Sequence, residues 1–288
     1  MNMIQYIDLH THSTASDGTD SPVELVRHAR EAGLAAIAVT DHDTLGGLAP
    51  ACEAAQGDAI RVIRGCELSA RTPQGELHIL GLWLPEDAPG LEAQLAALRR
   101  KRGERNAGMV RKLQELGFDI DMEEVSALAK GSVGRPHIAR VMVHKGFVGD
   151  EREAFQRYLG TGGKAWLPKE VLSPERAVGL LAGLEATVSL AHPFIHGYPV
   201  SWLEGAVRDL IPHGLDAIEV WHSEHDPAQT RLALEWAKRY DLGMTGGSDY
   251  HGSNKPGISL GKGRGGLRIP LDVLEKLEAR RRAQGRPC

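Results

Sequence analysis

Seven short apolar runs rich in β-branched residues recur along the chain, at Ile4–Leu9, Ala35–Thr40, Ile60–Leu68, Leu77–Leu84, Ala186–Ala191, Ala217–Trp221 and Leu242–Thr245. Helix-like segments separate them, and such alternation is the signature of parallel βαβ units. Between the first two runs, Asp20-Ser21-Pro22 followed by Glu24 predicts a capped helix start, and Gly33 predicts its stop. From about Leu91 to Lys164 the rhythm changes: Leu91, Leu95, Leu98, Met109, Leu113 and Leu116 follow helical spacing, and helices continue through Tyr158 with no strand between them. The stretch reads as a helical insertion at residues 90–165, dividing one α/β barrel-like domain into parts at 1–89 and 166–288.

The ends of the runs carry a second pattern. The first ends in His10-Thr11-His12, the second in Asp41-His42-Asp43 and the third beside Glu67; the fourth contains His78 and the fifth leads into His192. The sixth holds Glu219 and ends at His222, and the last leads into Asp249 and His251. Side chains two residues apart on a strand face one side, with about 6.6 Å between their Cα atoms, so His10 and His12 can converge on one ion. In a parallel barrel the C-terminal strand ends open on a single face, where active sites are built, so these scattered residues would meet in space. A single such histidine is better read as a satisfied core residue. Repetition on run after run makes that reading a poor one. Asp41 and Asp43 flank His42 and are placed to orient its ring, while alternation turns Tyr250 away from the ligand face. His28, His144, His196, His213 and His225 match no such position and read as surface or capping residues.

Composition removes several function classes. With 288 residues and 42% hydrophobic content the chain can bury a full core. Its net charge of −4 offers no general field for long nucleic acid, so an anionic substrate must be held locally. Cys52, Cys66 and Cys288 are widely spaced and form no Cys-x-x-Cys pair, which argues against a disulfide framework or a thiolate zinc site and fits a reducing cytoplasm. There is no basic-then-apolar leader and no apolar stretch of about 18 residues, so a cytoplasmic location is expected, with no membrane and no obligate protein partner. The basic runs Arg99–Arg105 and Arg280–Arg286 read as solvated surface.

Taken together, HTHSTASDGT, TDHDT, the glutamate of the third run, AHP and GSDYH resemble the PHP (polymerase and histidinol phosphatase) family. The resemblance spans most of the chain outside the insertion and implies a distorted seven-stranded (β/α) barrel with up to three metal ions. Carried over residue by residue, it implies that His10, His12 and Asp249 hold a first metal, that Glu67 bridges to a second held also by His78 and His192, and that Asp17, His42 and His251 hold a third. Asp17 stands where some members carry a histidine, which leaves the third metal's identity open. Mixed imidazole and carboxylate ligands without cysteine point to Mn²⁺, Fe²⁺ or Zn²⁺, with Mn²⁺ preferred and Mg²⁺ a further alternative. A carboxylate-bridged metal pair about 3.5–4 Å apart suits phosphoester hydrolysis.

Within the insertion, RPHIA puts Arg135 and His137 around Pro136, a residue favoured in the first helical turn, where free N–H groups attract phosphate. This stretch resembles the PHP subfamily of 3′,5′-nucleotide bisphosphate phosphatases and short-RNA 5′→3′ exonucleases, which carries a helical insertion in this place. The resemblance implies a phosphatase that removes the 3′-phosphate of a nucleoside 3′,5′-bisphosphate, such as adenosine 3′,5′-bisphosphate, with a small nucleotide or a short RNA as its partner. Arg135, His137, His222 and Lys164 would contact substrate, and Asp249, His222 and Arg135 would act at the reacting group. Lys164 in GTGGKAW reads equally as a solvated loop residue. Rival readings are 5′→3′ trimming of short RNA, hydrolysis of histidinol phosphate, which the RPHIA insertion disfavours, and an amidohydrolase. The last typically bridges its metals with a carbamylated lysine where this chain has Glu67. A non-catalytic PHP module beside a polymerase is disfavoured by the complete ligand set.

Overall fold

A computed structural model describes residues 5–128, 133–168 and 171–288. Ile4, where the first apolar run starts, lies outside them. The chain divides into two compact units, Met1–Glu92 with Leu172–Cys288, and Ala93–Val171.

The first unit is an α/β barrel. Its strands are β1 (Tyr6–Thr11), β2 (Leu34–Val39), β3 (Arg61–Arg71), β4 (Glu76–Leu82), β5 (Thr187–Leu190), β6 (Ala217–His222), β7 (Gly243–Gly247) and β8 (Ile269–Pro270), in the order β7-β6-β5-β4-β3-β2-β1-β8. The two-residue β8, antiparallel to β1, is an eighth strand beyond the seven apolar runs. It is too short to give a run of its own. Just beyond β7 the chain bonds to the upper half of β1, through Asp249 N–H to the His10 carbonyl and His12 N–H to the Tyr250 carbonyl, both at 2.9 Å. The sheet therefore comes close to closing on itself.

Strand direction departs from the all-parallel expectation. β4 is antiparallel to both β3 and β5. In the register Ser69 pairs with His78 and Glu67 with Leu80, so it is the beginning of β4 that lies beside the far end of β3. His78, near the start of its strand, is thus brought to the face where the parallel strands end.

Local sequence accounts for the framing elements. The helix Pro22–Glu31 opens with a Ser21 and Glu24 capping box and Pro22 in its first turn, and Gly33 follows its end at φ +73°. The core under β1 packs Ile7 and Leu9 with Ala36, Ala38, Ile63, Leu82, Leu274 and Leu277. The C-terminal basic run is only in part the solvated surface it resembles in sequence: Arg282 is exposed, but Arg281 is not. Arg281 is buried, donates to the carbonyls of Pro287 and Glu185 and to Thr187 Oγ1, and lies 4.8 Å from the centroid of the Trp83 ring. Arg286 pairs with Asp216. An arginine is tolerated inside when its fixed fork of donors meets fixed acceptors.

The second unit is helical, with no strand among its described residues. Its core joins Met109, Val110 and Leu113 to Ile138, Met142, Tyr158 and Leu159. Among the described residues no helix is long and apolar enough to cross a membrane.

Candidate metal centre

Glu67 stands at the middle of the cluster, fully buried. Its two oxygens face different histidines. Oε1 lies 3.0 Å from His78 Nδ1 and 3.0 Å from His192 Nε2, whereas Oε2 lies 3.3 Å from His10 Nε2, 3.3 Å from His12 Nε2 and 3.0 Å from His42 Nδ1. Asp249 divides its contacts likewise: Oδ1 is 3.6 Å from His10, 3.3 Å from His12 and 3.4 Å from His251, and Oδ2 is 3.4 Å from His222 Nε2. Asp17, half-exposed, reaches His251 at 3.3 Å, His12 at 3.8 Å and His42 at 3.9 Å.

Most of the ligands come from a strand end or the loop after it, while Glu67 lies within β3 and His78 near the start of β4. The β1 pleat aims His10 and His12 to one side, where their ring centroids lie 5.2 Å apart. His42 is brought beside β3 by a parallel bridge to Glu67, and the Asp43 N–H donates to the Glu67 carbonyl. His192 and Asp249 hold positive φ, +25° and +56°, conformations that L-residues adopt at a cost and that cluster at functional sites.

Several atoms here are buried without a hydrogen-bond partner: His10 Nε2, both ring nitrogens of His12, His42 Nδ1, Glu67 Oε2 and His222 Nε2. A buried polar atom left unpaired costs about 1–3 kcal/mol, and so many in one place fit a centre whose cations supply the missing partners. Ligand atoms within 4.8 Å of one another form three overlapping sets, His12-Asp17-His42-His251, His10-His12-Glu67 and His42-Glu67-His78. His12 and His42 are each shared between sets, where the resemblance gave each to a single metal.

Charge is distributed unevenly. Burial opposes ionisation of Glu67, yet the surrounding imidazoles hold its carboxyl well below the usual range. Burial likewise opposes a charge on His12, but the adjacent carboxylates of Asp249 and Glu67 prevail and raise it to about 9; Glu67 raises His78 to about 10. At His42 and His192 burial prevails, lowering them to about 3 and about 4. Neutral imidazole is the ligating form.

Behind the ligands stand two carboxylates: Glu219, which the strand-end pattern included without assigning it to a metal, and Asp8, which it missed. Glu219 is fully buried, meets His10 Nδ1 at 3.1 Å and accepts the His192 backbone N–H at 2.7 Å. Asp8 accepts from the Ser248 N–H and hydroxyl, the Gly261 N–H and the His10 N–H, tying β1 to the chain after β7. Their signal was a charge inside an apolar strand, in YIDLHT and AIEVWH. Asp41 behaves otherwise than expected. The Asp41 carboxylate accepts from Ser13 N–H and from the Ser13 and Ser16 hydroxyls, fixing the turn before Asp17, and Asp43 Oδ1 accepts from the Ser69 N–H. Tyr250 turns its hydroxyl to Asp20.

The remaining substrate candidates, Arg135, His137 and Lys164, belong to the helical unit. Arg135 starts the helix Arg135–His144, donates to the Leu159 carbonyl at 3.3 Å and sits 5.6 Å from the Phe155 ring centroid. His137 Nδ1 accepts the Gly134 N–H at 3.0 Å and so caps that helix. Lys164 is exposed, and its N–H donates to the Arg157 carbonyl.

A near-closed barrel with imidazoles and carboxylates converging on one face defines a metal-dependent hydrolase. Residues 8–160 match the PHP domain family, and the chain belongs to that family of metal-dependent phosphoesterases. It is 32% identical over 283 residues to a 3′,5′-nucleoside bisphosphate phosphatase of Chromobacterium violaceum, covering 95% of this chain and 97% of that protein. It is 34% identical over 249 residues to a 5′-3′ exoribonuclease of Haemophilus influenzae, covering 86% and 91%. Among solved structures, an amidohydrolase from Chromobacterium violaceum with bound sulfate and no metal superposes with a TM-score of 0.77 at 31% identity, covering 96% of each chain.

Proposed function

We propose that the chain is a metal-dependent phosphatase that hydrolyses the 3′-phosphate of nucleoside 3′,5′-bisphosphates, giving 5′-nucleotides. The observation that carries this reading is Glu67, whose two oxygens face two separate groups of histidines, as a carboxylate bridging a pair of ions would. The ligands would be His10, His12, Asp17, His42, Glu67, His78, His192, Asp249 and His251, with Mn²⁺ the preferred ion. Divalent ions held there acidify a water and neutralise charge on the phosphoryl oxygens.

The chain's own residues do the rest. Water adds to phosphorus, the bond to the 3′ oxygen breaks, and that oxygen departs with a proton. Asp249 and His222, 3.4 Å apart, hold and pass the protons. Arg135 would grip a phosphate with its two-pronged donor set, His137 and Lys164 would add contacts from the helical unit, and the 5′-phosphate is the feature they would read. The near full-length likeness to a bisphosphate phosphatase supports this substrate, and the glutamate bridge weighs against amidohydrolase chemistry. The likeness to 5′-3′ exoribonucleases supports a second reading, release of nucleotides from short RNA, since both substrates present a 5′-phosphate beside a scissile 3′ phosphoester.

The test is product release by the Mn²⁺-loaded protein from adenosine 3′,5′-bisphosphate, histidinol phosphate and a short 5′-phosphorylated RNA, each with an Arg135→Ala variant alongside. Turnover of the bisphosphate that collapses in the variant is expected. Preference for histidinol phosphate, or indifference to Arg135, would overturn the substrate assignment.

A further inference from the structure

Beyond β7 the chain turns through Gly252–Asn254 and presents a lysine to the cluster. Gly252 is required there: its φ is +64°, and a Cβ on it would lie 1.9 Å from Thr19 Oγ1. The turn is tied to the loop that bears Asp17, with Ser253 N–H donating to Thr19 Oγ1 at 3.0 Å and Asn254 Nδ2 to the Asp17 carbonyl at 2.7 Å. From this anchored turn Lys255 Nζ pairs with Asp249 Oδ2, the oxygen that also faces His222 Nε2. Its side chain is 33% exposed while that of Asp249 is 3% exposed, so the ammonium stands between a buried carboxylate and solvent.

That position has a chemical use. A phosphate arriving from solvent brings negative charge toward Asp17, Glu67, Glu219 and Asp249, and its outer oxygens need cations of their own. An ammonium on a flexible four-carbon stem can turn from a carboxylate to a phosphoryl oxygen while its loop stays fixed. Charge-assisted hydrogen bonds of that kind are among the stronger ones available.

We propose that Lys255 binds the substrate's phosphoryl oxygens: it rests on Asp249 in the free protein and passes to an outer oxygen of the phosphate on binding. This rests on the phosphoesterase reading above and names a further contact of the same site.

The experiment compares the wild type with Lys255→Met and Lys255→Arg, each reconstituted with Mn²⁺. It measures bound metal per chain, binding of inorganic phosphate by calorimetry, and KM and kcat for adenosine 3′,5′-bisphosphate. The Met variant is expected to keep its metal and to weaken both phosphate binding and KM by about tenfold or more, with the Arg variant recovering part of each. Unchanged phosphate affinity in the Met variant would overturn the proposal. So would loss of metal, which would make Lys255 a support for Asp249. A wild type that turns over no phosphoester would instead overturn the proposed function, and phosphate calorimetry would still decide the role of Lys255.

Discussion

His10 Nδ1 lies 3.1 Å from Glu219 Oε1, and both side chains are fully buried. The contact leaves Nε2 as the free nitrogen of the ring, the one that faces Glu67 and Asp249. Burial opposes ionisation of Glu219, but the adjacent His10 holds its carboxyl down at about 2. A carboxylate behind a ligating imidazole fixes the tautomer and strengthens the ligand, and losing one typically lowers metal affinity about 10–100-fold. Glu219→Gln should therefore bind Mn²⁺ that much more weakly in a calorimetric titration of the metal-free protein. Equal affinity would show that Glu219 is only structural filling.

Metal should also report itself through stability. The unpaired nitrogens of His10, His12 and His42 gain partners only when ions bind. An ion that binds the folded chain alone stabilises it by about 2.7 kcal/mol at a hundred times its dissociation constant. Thermal unfolding after chelation should occur at a lower temperature and rise again with added Mn²⁺, and Glu67→Gln should abolish most of that rise. A melting temperature indifferent to Mn²⁺ would contradict the assignment of the cluster.

Barrel closure depends on a glycine. A Cβ at Gly247 would lie 2.3 Å from His10 Cβ and 2.4 Å from its backbone nitrogen, so a side chain there must push β7 away from β1. Gly247→Ala should cost about 1–3 kcal/mol of stability, as overpacking does, and weaken metal binding with it. Gly90→Ala, where a Cβ meets nothing within 4 Å, serves as the control and should unfold at the same denaturant midpoint as the parent or a higher one.

Arg281 offers a test away from the centre. Replacing it with leucine removes the donors to Pro287, Glu185 and Thr187 and leaves the buried Thr187 hydroxyl without that partner. A loss of about 1–3 kcal/mol is expected in urea unfolding, with metal affinity unchanged. A neutral substitution would show that the guanidinium is replaceable packing.

Much of this centre was legible because its signals are local. A ligand-type residue at the end of a short apolar run needs only strand periodicity to be noticed, and His10, His12, Glu67, His192 and Asp249 all stand that way. Strand direction was not legible, because it is decided by pairing between distant segments: nothing within ELHILGL says that β4 runs against β3. Asp41 was misassigned for a related reason. Its sequence neighbour is His42, but its spatial neighbours are Ser13 and Ser16. Glu219 and Lys255 show the other gap, since a supporting residue is defined by what it touches and carries no spacing of its own. Arg281 sits in a run whose charge resembles a solvated helix face, and only the acceptors of the chain end and of Glu185 and Thr187 explain its burial.

The most direct measurement is phosphate release from adenosine 3′,5′-bisphosphate by the protein as purified, after chelation, after Mn²⁺ is returned, and in the Glu67→Gln variant under the same conditions. Release that disappears on chelation, returns with Mn²⁺ and falls at least about a hundredfold in the variant is the predicted result. Full-rate release after exhaustive chelation, or an undiminished rate in Glu67→Gln, would contradict a carboxylate-bridged metal centre as the seat of the chemistry.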